Sequence, residues 1–408
     1  MRILKIVPQA FYTPRGTPLS AYHRARELLA QGHEVDILTY GIGEPPPPGL
    51  RARLFRARGP HFCHTVRAGP SDRKIWLDVL LFATLIGRLC RQRYDALYAH
   101  EEAALLARVA GAVFRIPYVY DMHSSLPLQI TDWKFSRRRS VVALFHWIER
   151  VCVSGACAVV AISPAVAQAA RKACPDARCV VLTNYFPLGQ HPTAADIAAV
   201  RARHGVKPEE KLIVYTGSFV SLQALDLLLE AAVQVLRAVP SAKFLLVGGE
   251  QAEIDELRSM AARLGIAEHL ILERSRPQSE IPAYLAAADA LVSPRVQGIN
   301  PPGKLLSYLA AGRPLVATDT LVHNQLLSAD CAILTAPDVA GLAGGLILAL
   351  TDAALAARLV EETGKALARL CGESTRQAAY DEILSAARLA GSRRARRRTG
   401  LVTPSSRP

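Results

Sequence analysis

Short apolar runs alternate with helical patterns along the first half of the chain. Residues Ile3 to Val7 form the first apolar run, and a helix is predicted from Thr17 to Gln31. Its N-cap is Thr17, with Pro18 at the first helical position and Gly32 just past the end. Further strands are predicted at Glu34 to Tyr40, Ala96 to Ala99, Tyr118 to Asp121 and Ala158 to Ile162. This alternation predicts βαβ units and a parallel sheet.

The second half of the chain repeats the alternation. Its predicted strands are Leu212 to Tyr215, Lys243 to Val247, His269 to Leu272, Ala290 to Val292, Leu315 to Thr318 and Ala332 to Leu334. Pro187, Gly189 and Pro192 interrupt the pattern and indicate a linker. We therefore predict two Rossmann-like domains at residues 1–186 and 187–371, a terminal helix at 372–390, and a basic, disordered tail at 391–408.

Length and composition agree with two α/β domains. The 408 residues are 50% hydrophobic and 21% charged, which suits two globular cores. The longest apolar segment, Ile75 to Leu89, is interrupted by Asp78 and Arg88 and is shorter than the roughly 20 residues of a membrane span. The chain starts with a strand pattern rather than a signal peptide, so we expect a cytoplasmic protein. Eight cysteines without a CxxC pair predict reduced thiols rather than a zinc site.

The net charge of +14 favours an anionic partner. No nucleic-acid-binding signature accompanies it, so we expect no nucleic-acid partner. The stretch from Trp133 to Trp147, with Arg137, Arg138 and Arg139, is basic and aromatic, and Ile75 to Arg91 is an apolar helix with basic ends. Either one alone is typical of a solvated charged face over a core helix. Together they indicate docking on an anionic membrane surface, peripherally on its inner face.

Candidate functional residues follow predicted strands, because open α/β sheets bind ligands at their carboxyl edge. Gly16 and Thr17 lie between a strand and a capped helix, where a phosphate can bind, although an ordinary βα turn has the same pattern. His123 and His100 each follow or end a strand. A lone histidine is more often structural than catalytic, and both alternatives stay open for these two.

Several motifs, taken together in their order and spacing, carry a resemblance. They are Arg15 to Pro18, Arg26 to Tyr40, Tyr94 to Glu101, Ile116 to His123, Tyr215 to Ser218, Leu246 to Gly249, Ile281 to Asp289 and Pro301 to Ala317. Up to about residue 385, the chain resembles the family 4 glycosyltransferases. The resemblance implies a GT-B fold, in which two Rossmann-like domains with parallel sheets face each other across a cleft. It also implies a nucleotide-sugar donor, retention of anomeric configuration and no metal cofactor; no DxD motif is present.

The resemblance also assigns roles, and this chain departs from the family at several of them. His123 corresponds to a histidine that touches the donor sugar. Ser218 and Gln223 stand where relatives have a diphosphate-binding arginine and lysine, and Gln297 and Ser307 stand where relatives have two glutamates. The predicted catalytic residues are His123 and Lys304. The predicted donor-binding residues are Gly16, Thr17, Gly217, Ser218, Arg295, Gln297, Gly298, Asn300 and Ser307.

The function that this resemblance implies is transfer of a hexose-type sugar to a glycan or lipid-linked acceptor. The departures at the diphosphate and ribose positions leave a second hypothesis, a catalytically weakened protein that binds a nucleotide sugar or a partner enzyme. A nucleotide-sugar epimerase is a third. No GxGxxG follows a predicted strand, which argues against a nicotinamide-dependent oxidoreductase.

Overall fold

The computed structural model describes residues 1–13, 16–57, 72–127, 139–185 and 191–398. Residues 133–138 of the predicted membrane-docking stretch, and the tail from 399 onward, lie outside the described residues. The chain divides into two compact units. The first comprises Met1–Asn184 and Arg376–Pro408, and the second comprises Tyr185–Thr375.

The first unit is built on a seven-stranded parallel sheet in the order β3-β2-β1-β4-β5-β6-β7. The strands are β1 Arg2–Val7, β2 Glu34–Tyr40, β3 Arg53–Ala57, β4 Ala96–His100, β5 Tyr118–Met122, β6 Ala158–Ala161 and β7 Cys179–Val181. The helices are α1 Gly16–Ala30, α2 Asp72–Arg91, α3 Ala103–Val113, α4 Arg139–Gly155 and α5 Pro164–Ala173. The predicted parallel sheet is confirmed.

The central strands of this sheet are buried along their whole length, as expected when helices cover both faces. The sequence pattern missed the two edge strands for a physical reason. Strand β3 is only partly buried, and β7 has three residues of which one is buried. Edge strands bury little apolar surface, so their hydrophobic pattern is weak.

The second unit has a six-stranded parallel sheet in the order β10-β9-β8-β11-β12-β13. Its strands are β8 Lys211–Thr216, β9 Ala242–Gly249, β10 Leu270–Arg274, β11 Ala290–Ser293, β12 Leu315–Thr318 and β13 Ile333–Thr335. Its helices are α6 Ala194–Arg203, α7 Leu225–Ala238, α8 Gln251–Leu264, α9 Ile281–Ala286, α10 Lys304–Ala310, α11 Leu321–Asn324, α12 Val339–Thr351 and α13 Ala353–Cys371; short 3₁₀ turns occupy Ser221–Gln223 and Ala267–His269. All six strands match predicted ones.

The last helix, α14 Glu373–Arg398, differs from the sequence prediction. The helix was predicted to end at 390 and a disordered tail to begin at 391, whereas the backbone stays helical through 398. Arginine and alanine both favour helix, and together they outweigh the single glycine at 391. From Arg376 onward the helix belongs to the first unit, where the Glu27 carboxylate accepts hydrogen bonds from Arg376 and Tyr380.

Among the described residues, no single helix is long and apolar enough to cross a membrane. One pair of segments, 339–351 and 353–393, meets the length and composition criteria only when combined, and it is bent by 94° at the break.

The packing of α14 in the first unit gives a testable expectation. Ile383 is fully buried, so Ile383→Ala should lower the unfolding free energy of this unit by about 2–5 kcal/mol. All three tryptophans of the chain lie between residues 76 and 147, so fluorescence-detected urea unfolding follows the first unit. Leu389→Ala, at an exposed position of the same helix, is the control and should stay within about 0.5 kcal/mol of the parent. Equal losses in both variants would contradict this packing.

Candidate active site

A buried carboxylate, that of Asp121, lies at the carboxyl edge of the first sheet. Its Oδ2 is 3.3 Å from the Lys5 ammonium, and its Oδ1 is 3.8 Å from Nε of Arg24. All three side chains are almost completely buried. Burial alone would raise the pKa of Asp121, but Lys5, His123 and Arg24 outweigh it and hold that pKa well below its usual range. The cluster therefore contains one firmly ionised carboxylate.

Two histidines complete this cluster. His100 Nδ1 lies 3.0 Å from Asp121 Oδ2, and His123 Nε2 lies 3.4 Å from Oδ1. Burial lowers the pKa of His100 to about 3 and also lowers that of His123, so both rings are neutral at pH 7. The Asn184 amide is 3.5 Å from His123 Nδ1 and donates to it, which leaves the His123 proton on Nε2, toward Asp121. Both ring nitrogens of His123 thus face groups of its own unit, and its predicted contact with a donor sugar stays a prediction.

His100, Asp121 and His123 are also the residues best arranged to hold a metal ion. Their donor atoms lie within 4.8 Å of one another. However, the two cationic side chains of Lys5 and Arg24 already surround the same carboxylate. A divalent cation would meet their repulsion at short range, so this donor set does not suit a metal.

Helix α1 positions the N-terminal candidates and ties them to the cluster. It begins at Gly16, whose φ of +47° lies in the left-handed region, and the space around its Cα is open. Thr17 follows and is half-buried. One turn on, Ser20 donates to the Asn184 side chain at 2.7 Å, and Arg24 donates to the Leu182 carbonyl. The backbone at Gly16 therefore has free space beside it, while hydrogen bonds from Ser20 and Arg24 fix the helix that follows.

In the second unit, Lys304 reaches the carboxyl end of β8. Its ammonium donates to Gln223 Oε1 at 3.1 Å and lies 3.5 Å from the centre of the Tyr215 ring. A Cβ on Gly217, where φ is +137°, would lie 3.3 Å from the same nitrogen. Burial lowers the pKa of Lys304 well below its usual range, and Arg295 adds to the effect. The sequence predicts Lys304 as a catalytic residue and Gly217 as a donor-binding one, and the structure places the Lys304 ammonium beside the Gly217 turn.

Arg295 is the second cation of this edge. Its Nε donates to the Gln297 carbonyl at 2.7 Å, and its own carbonyl accepts from Thr318 Oγ1 at 2.6 Å. Gly298 has a φ of +109°, and a Cβ there would overlap the guanidinium. Burial lowers the pKa of Arg295. The predicted loop residues thus form a turn that wraps the Arg295 side chain.

The remaining predicted residues surround these two cations less directly. Ser218 and Gln297 have exposed side chains, while Asn300 and Ser307 are half-buried, Ser307 within α10. Neither Lys304 nor Arg295 forms an ion pair with a carboxylate of the residues that the structure describes. Their nearest contacts are instead a side-chain amide, an aromatic ring and a backbone carbonyl.

Sequence reasoning missed His323, a buried histidine beside this edge. Its Nδ1 donates to the Thr318 carbonyl at 2.8 Å, and its Nε2 accepts from Ser293 Oγ at 2.9 Å. Burial, together with smaller effects of Lys304 and Arg295, lowers the pKa of His323 to about 4. Its signal in the sequence was its position five residues after the end of β12. It ties the ends of β11 and β12 together as a neutral ring.

Family comparisons agree with this arrangement. A model of glycosyltransferase family 4 matches residues 14–188, and a model of glycosyl transferases group 1 matches residues 210–352. Together they span more than three quarters of the chain. The chain belongs to the group 1/family 4 glycosyltransferases. The predicted family is thereby confirmed.

Two curated relatives match less than a third of the length of this family 4 chain. It is 33% identical over 126 residues, 29% of its length, to a GDP-mannose-dependent α-(1-6)-phosphatidylinositol monomannoside mannosyltransferase of Mycolicibacterium smegmatis. It is 31% identical over 102 residues, 24% of its length, to a D-inositol 3-phosphate glycosyltransferase of Segniliparus rotundus. These matches span 32% and 23% of the relatives' own lengths. An uncharacterised glycosyltransferase of Methanocaldococcus jannaschii is 23% identical over 75% of this chain and 78% of its own length.

Solved structures show the fold of the family 4 chain. Anabaena HepE in complex with UDP superposes with a TM-score of 0.72 over 94% of this chain and 100% of its own, at 18% identity. WaaG, a glycosyltransferase involved in lipopolysaccharide biosynthesis, does so with a TM-score of 0.69 over 93% and 99%, at 16% identity. The two parallel sheets and these neighbours confirm the predicted GT-B fold.

The neutral state of His100 gives a pH-dependent expectation. In the unfolded chain this ring binds a proton below about pH 6.5, whereas in the folded unit its pKa is about 3. Stability should therefore fall as the pH drops from about 6.5 toward 3, by up to about 1.4 kcal/mol per pH unit for this group. In fluorescence-detected urea unfolding, His100→Gln should reduce the loss between about pH 7 and pH 5 by about 1–2 kcal/mol.

The control for this measurement is His146→Gln, which removes an exposed histidine of α4 in the same unit. We expect the parent and the control to share one pH dependence and His100→Gln to have a shallower one. Identical curves for all three proteins would mean that the His100 ring is protonated as easily in the folded unit as in the unfolded chain.

Proposed function

We propose that the chain is a retaining glycosyltransferase that moves a hexose-type sugar from a nucleotide diphosphate donor. One observation carries the proposal. At the carboxyl edge of the second sheet, Lys304 and Arg295 stand close to the Gly217 turn, with no carboxylate of the described residues paired to them. The diphosphate of a donor would supply the missing negative charge, and the same cations would stabilise the leaving group as its charge grows.

The Lys304–Gln223 contact offers a physical account of the departure from the family pattern. Gln223 stands where relatives carry a diphosphate-binding lysine, and the Lys304 ammonium lies 3.1 Å from its Oε1. An ammonium group is thus available near that position although it comes from α10 rather than from the 3₁₀ turn. The positive charge therefore comes from α10 instead of the 3₁₀ turn, and a cation can still stabilise the donor diphosphate.

The other donor-binding candidates can bind the donor through uncharged hydrogen-bonding groups. Gln297 and Ser307 replace carboxylates but can still hydrogen-bond the hydroxyl groups of a ribose. Gly16, Thr17 and His123 lie at the carboxyl edge of the first sheet, where we propose that they face the sugar and acceptor. Backbone freedom at Gly16 and Gly217 allows a ligand to approach the main chain closely.

For the acceptor we propose a glycan or a lipid-linked molecule. The match to a phosphatidylinositol monomannoside mannosyltransferase supports a lipid-linked one. For the location we propose the cytoplasm, on the inner face of a membrane. All seven cysteines of the described residues are free thiols, which suits a reducing compartment.

A second candidate function rests on the same departures. Loss of both glutamates and of the arginine–lysine pair would suit a protein that binds nucleotide sugars without turning them over. A thermal-shift screen of UDP-, GDP-, ADP- and TDP-sugars identifies the donor, and release of free nucleotide with purified protein then separates a transferase from a binding protein. Interconversion of the donor sugar without an acceptor would indicate an epimerase.

The role of Lys304 is tested by moving its charge. Lys304→Ala should slow donor cleavage by roughly 30- to 1,000-fold, because one electrostatic contact to the leaving group contributes about 2–4 kcal/mol. In the double variant Lys304→Met/Gln223→Lys the ammonium returns to the same neighbourhood from the 3₁₀ turn, and part of the activity should return with it. The measurement is kcat/KM for nucleotide release, with the dissociation constant of the nucleotide diphosphate measured in parallel.

The matched control is Lys211→Ala, at the start of β8 and therefore at the opposite edge of the same sheet, where Lys211 pairs with Asp289. It should keep the rate of the parent. If the Lys304→Ala variant cleaves the donor as fast as the parent, Lys304 does not stabilise the diphosphate, and Arg295 becomes the candidate for that role.

We also propose that the reaction needs no metal. The sequence has no DxD, and Lys304 and Arg295 can supply the positive charge that a metal would otherwise bring to the diphosphate. Donor binding and cleavage should therefore be unchanged after treatment with EDTA, and added Mg²⁺ or Mn²⁺ should not increase them. Loss of cleavage in EDTA, restored by Mn²⁺, would contradict the proposal.

A further inference from the structure

Three helices of the first unit direct large apolar side chains outward. On α2 these are Ile75, Trp76 and Val79, which are 63%, 70% and 53% exposed. On α3 they are Leu105, Val109 and Val113, spaced four residues apart on one stripe, and on α4 they are Leu144 and Trp147. We call these eight side chains the apolar face. Contiguous apolar surface of this kind marks an interaction site, whereas single exposed leucines do not.

The three helices lie on the same side of the first sheet. Each connects one strand to a strand further along the sheet in the same direction: α2 runs from β3 to β4 across β2 and β1, α3 from β4 to β5, and α4 from β5 to β6. Right-handed crossovers in one direction place their helices on one face, and α3 contacts both α2 and α4. The outward stripes of the three helices therefore belong to one surface of the unit.

Among the described side chains, the unpaired exposed charges on this face are arginines. Arg139 and Arg150 on α4 are exposed. The acidic groups described on or beside these helices are occupied: Asp78 accepts from Tyr40, Glu102 pairs with Lys74, and buried Glu149 accepts from the Leu126 amide. Within the described side chains, the surface thus combines exposed tryptophans with arginines and has no unpaired exposed carboxylate.

The apolar face reaches the edge of the sheet that carries Asp121. Helices α2 and α4 follow β3 and β5, so each starts at the carboxyl edge and runs back along the sheet. Ile75 and Trp76 lie in the first turns of α2, and Leu144 and Trp147 lie in the first half of α4. The most apolar part of the face is therefore at the same edge as the His100–Asp121–His123 cluster.

We propose that the apolar face docks on an anionic lipid bilayer and brings this edge to an acceptor held in the membrane. The proposal deepens the proposed function and rests on its lipid-linked acceptor. Tryptophan favours the boundary between headgroups and acyl chains, and arginine pairs with anionic headgroups. A second copy of the chain fits less well, because a twofold contact sets equivalent patches against each other and would place arginines near arginines without carboxylates between them.

Vesicle binding tests the proposal with the full chain. Trp76, Trp133 and Trp147 are the only tryptophans of the sequence, and Trp76 and Trp147 belong to the apolar face, so tryptophan emission responds when this face contacts lipid. We expect a blue shift and co-sedimentation with vesicles of phosphatidylglycerol and phosphatidylcholine, weaker binding to phosphatidylcholine alone, and loss of the difference as salt screens the charges.

Two pairs of variants, each with a matched control, separate the apolar and the electrostatic parts. Ile75→Gln/Leu144→Gln keeps all three tryptophans and should weaken binding about tenfold or more, whereas Leu348→Gln/Leu389→Gln, at exposed leucines elsewhere, should not. Arg139→Gln/Arg150→Gln should weaken binding to anionic vesicles about 20- to 30-fold. Arg237→Gln/Arg263→Gln removes the same charge from exposed positions of the second unit and should have little effect.

Three results would overturn the proposal. One is equal binding to anionic and neutral vesicles, another is no binding to either, and the third is equal binding by the Ile75→Gln/Leu144→Gln variant and its control. If that variant instead lowers the oligomeric state in sedimentation velocity, the face is a contact between copies of the chain. The affinity for soluble nucleotide diphosphate, measured on the same preparations, shows whether the proposed donor site stands independently of docking.

Discussion

Burying Lys5 and Arg24 inside the first unit costs solvation free energy that the Asp121 carboxylate offsets. An unpaired charge at this depth would cost several kcal/mol, so the three side chains hold one another in place. Because they come from β1, α1 and β5, the ion cluster fixes how the first helix sits on the central strands. The neutral His100 ring also hydrogen-bonds this carboxylate, the His123 ring lies beside it, and the Asn184 amide donates to His123. Both cations at this carboxyl edge therefore have a carboxylate partner in their own unit.

At the carboxyl edge of the second sheet, the two cations have no carboxylate partner among the described residues. Lys304 and Arg295 are half-buried, and they contact a neutral amide, an aromatic ring and a backbone carbonyl. These partners orient the cations without neutralising them, so the electrostatic cost of burial persists in the unliganded unit. An anion that binds there recovers that cost, which is how a site can be preorganised for a diphosphate before the diphosphate arrives.

Most of the fold could be predicted from the sequence, because buried parallel strands and their helices have strong hydrophobic patterns. The strands β3 and β7 escaped because edge strands bury little. The buried charges were harder: Lys5 in an apolar strand gives a hint, but its partner Asp121 is 116 residues away, and only the folded sheet joins them. The missing arginine–lysine pair, and the position of Lys304 in the first turn of the helix after the Gln297 loop, predict Lys304 as a substitute cation, whereas its contact with Gln223 follows only from the three-dimensional structure.

The first unit is discontinuous along the chain, since residues 1–184 are completed by the part of α14 from Arg376 onward, which follows the second unit. During synthesis, the whole second unit therefore leaves the ribosome before the segment that buries Ile383 and Tyr380 becomes available. Domains fold as units as they emerge, and here the order is interrupted. The first unit must persist with an uncovered apolar groove, and with Glu27 lacking the Arg376 and Tyr380 donors, while its neighbour forms. Chaperone dependence should concentrate in that interval.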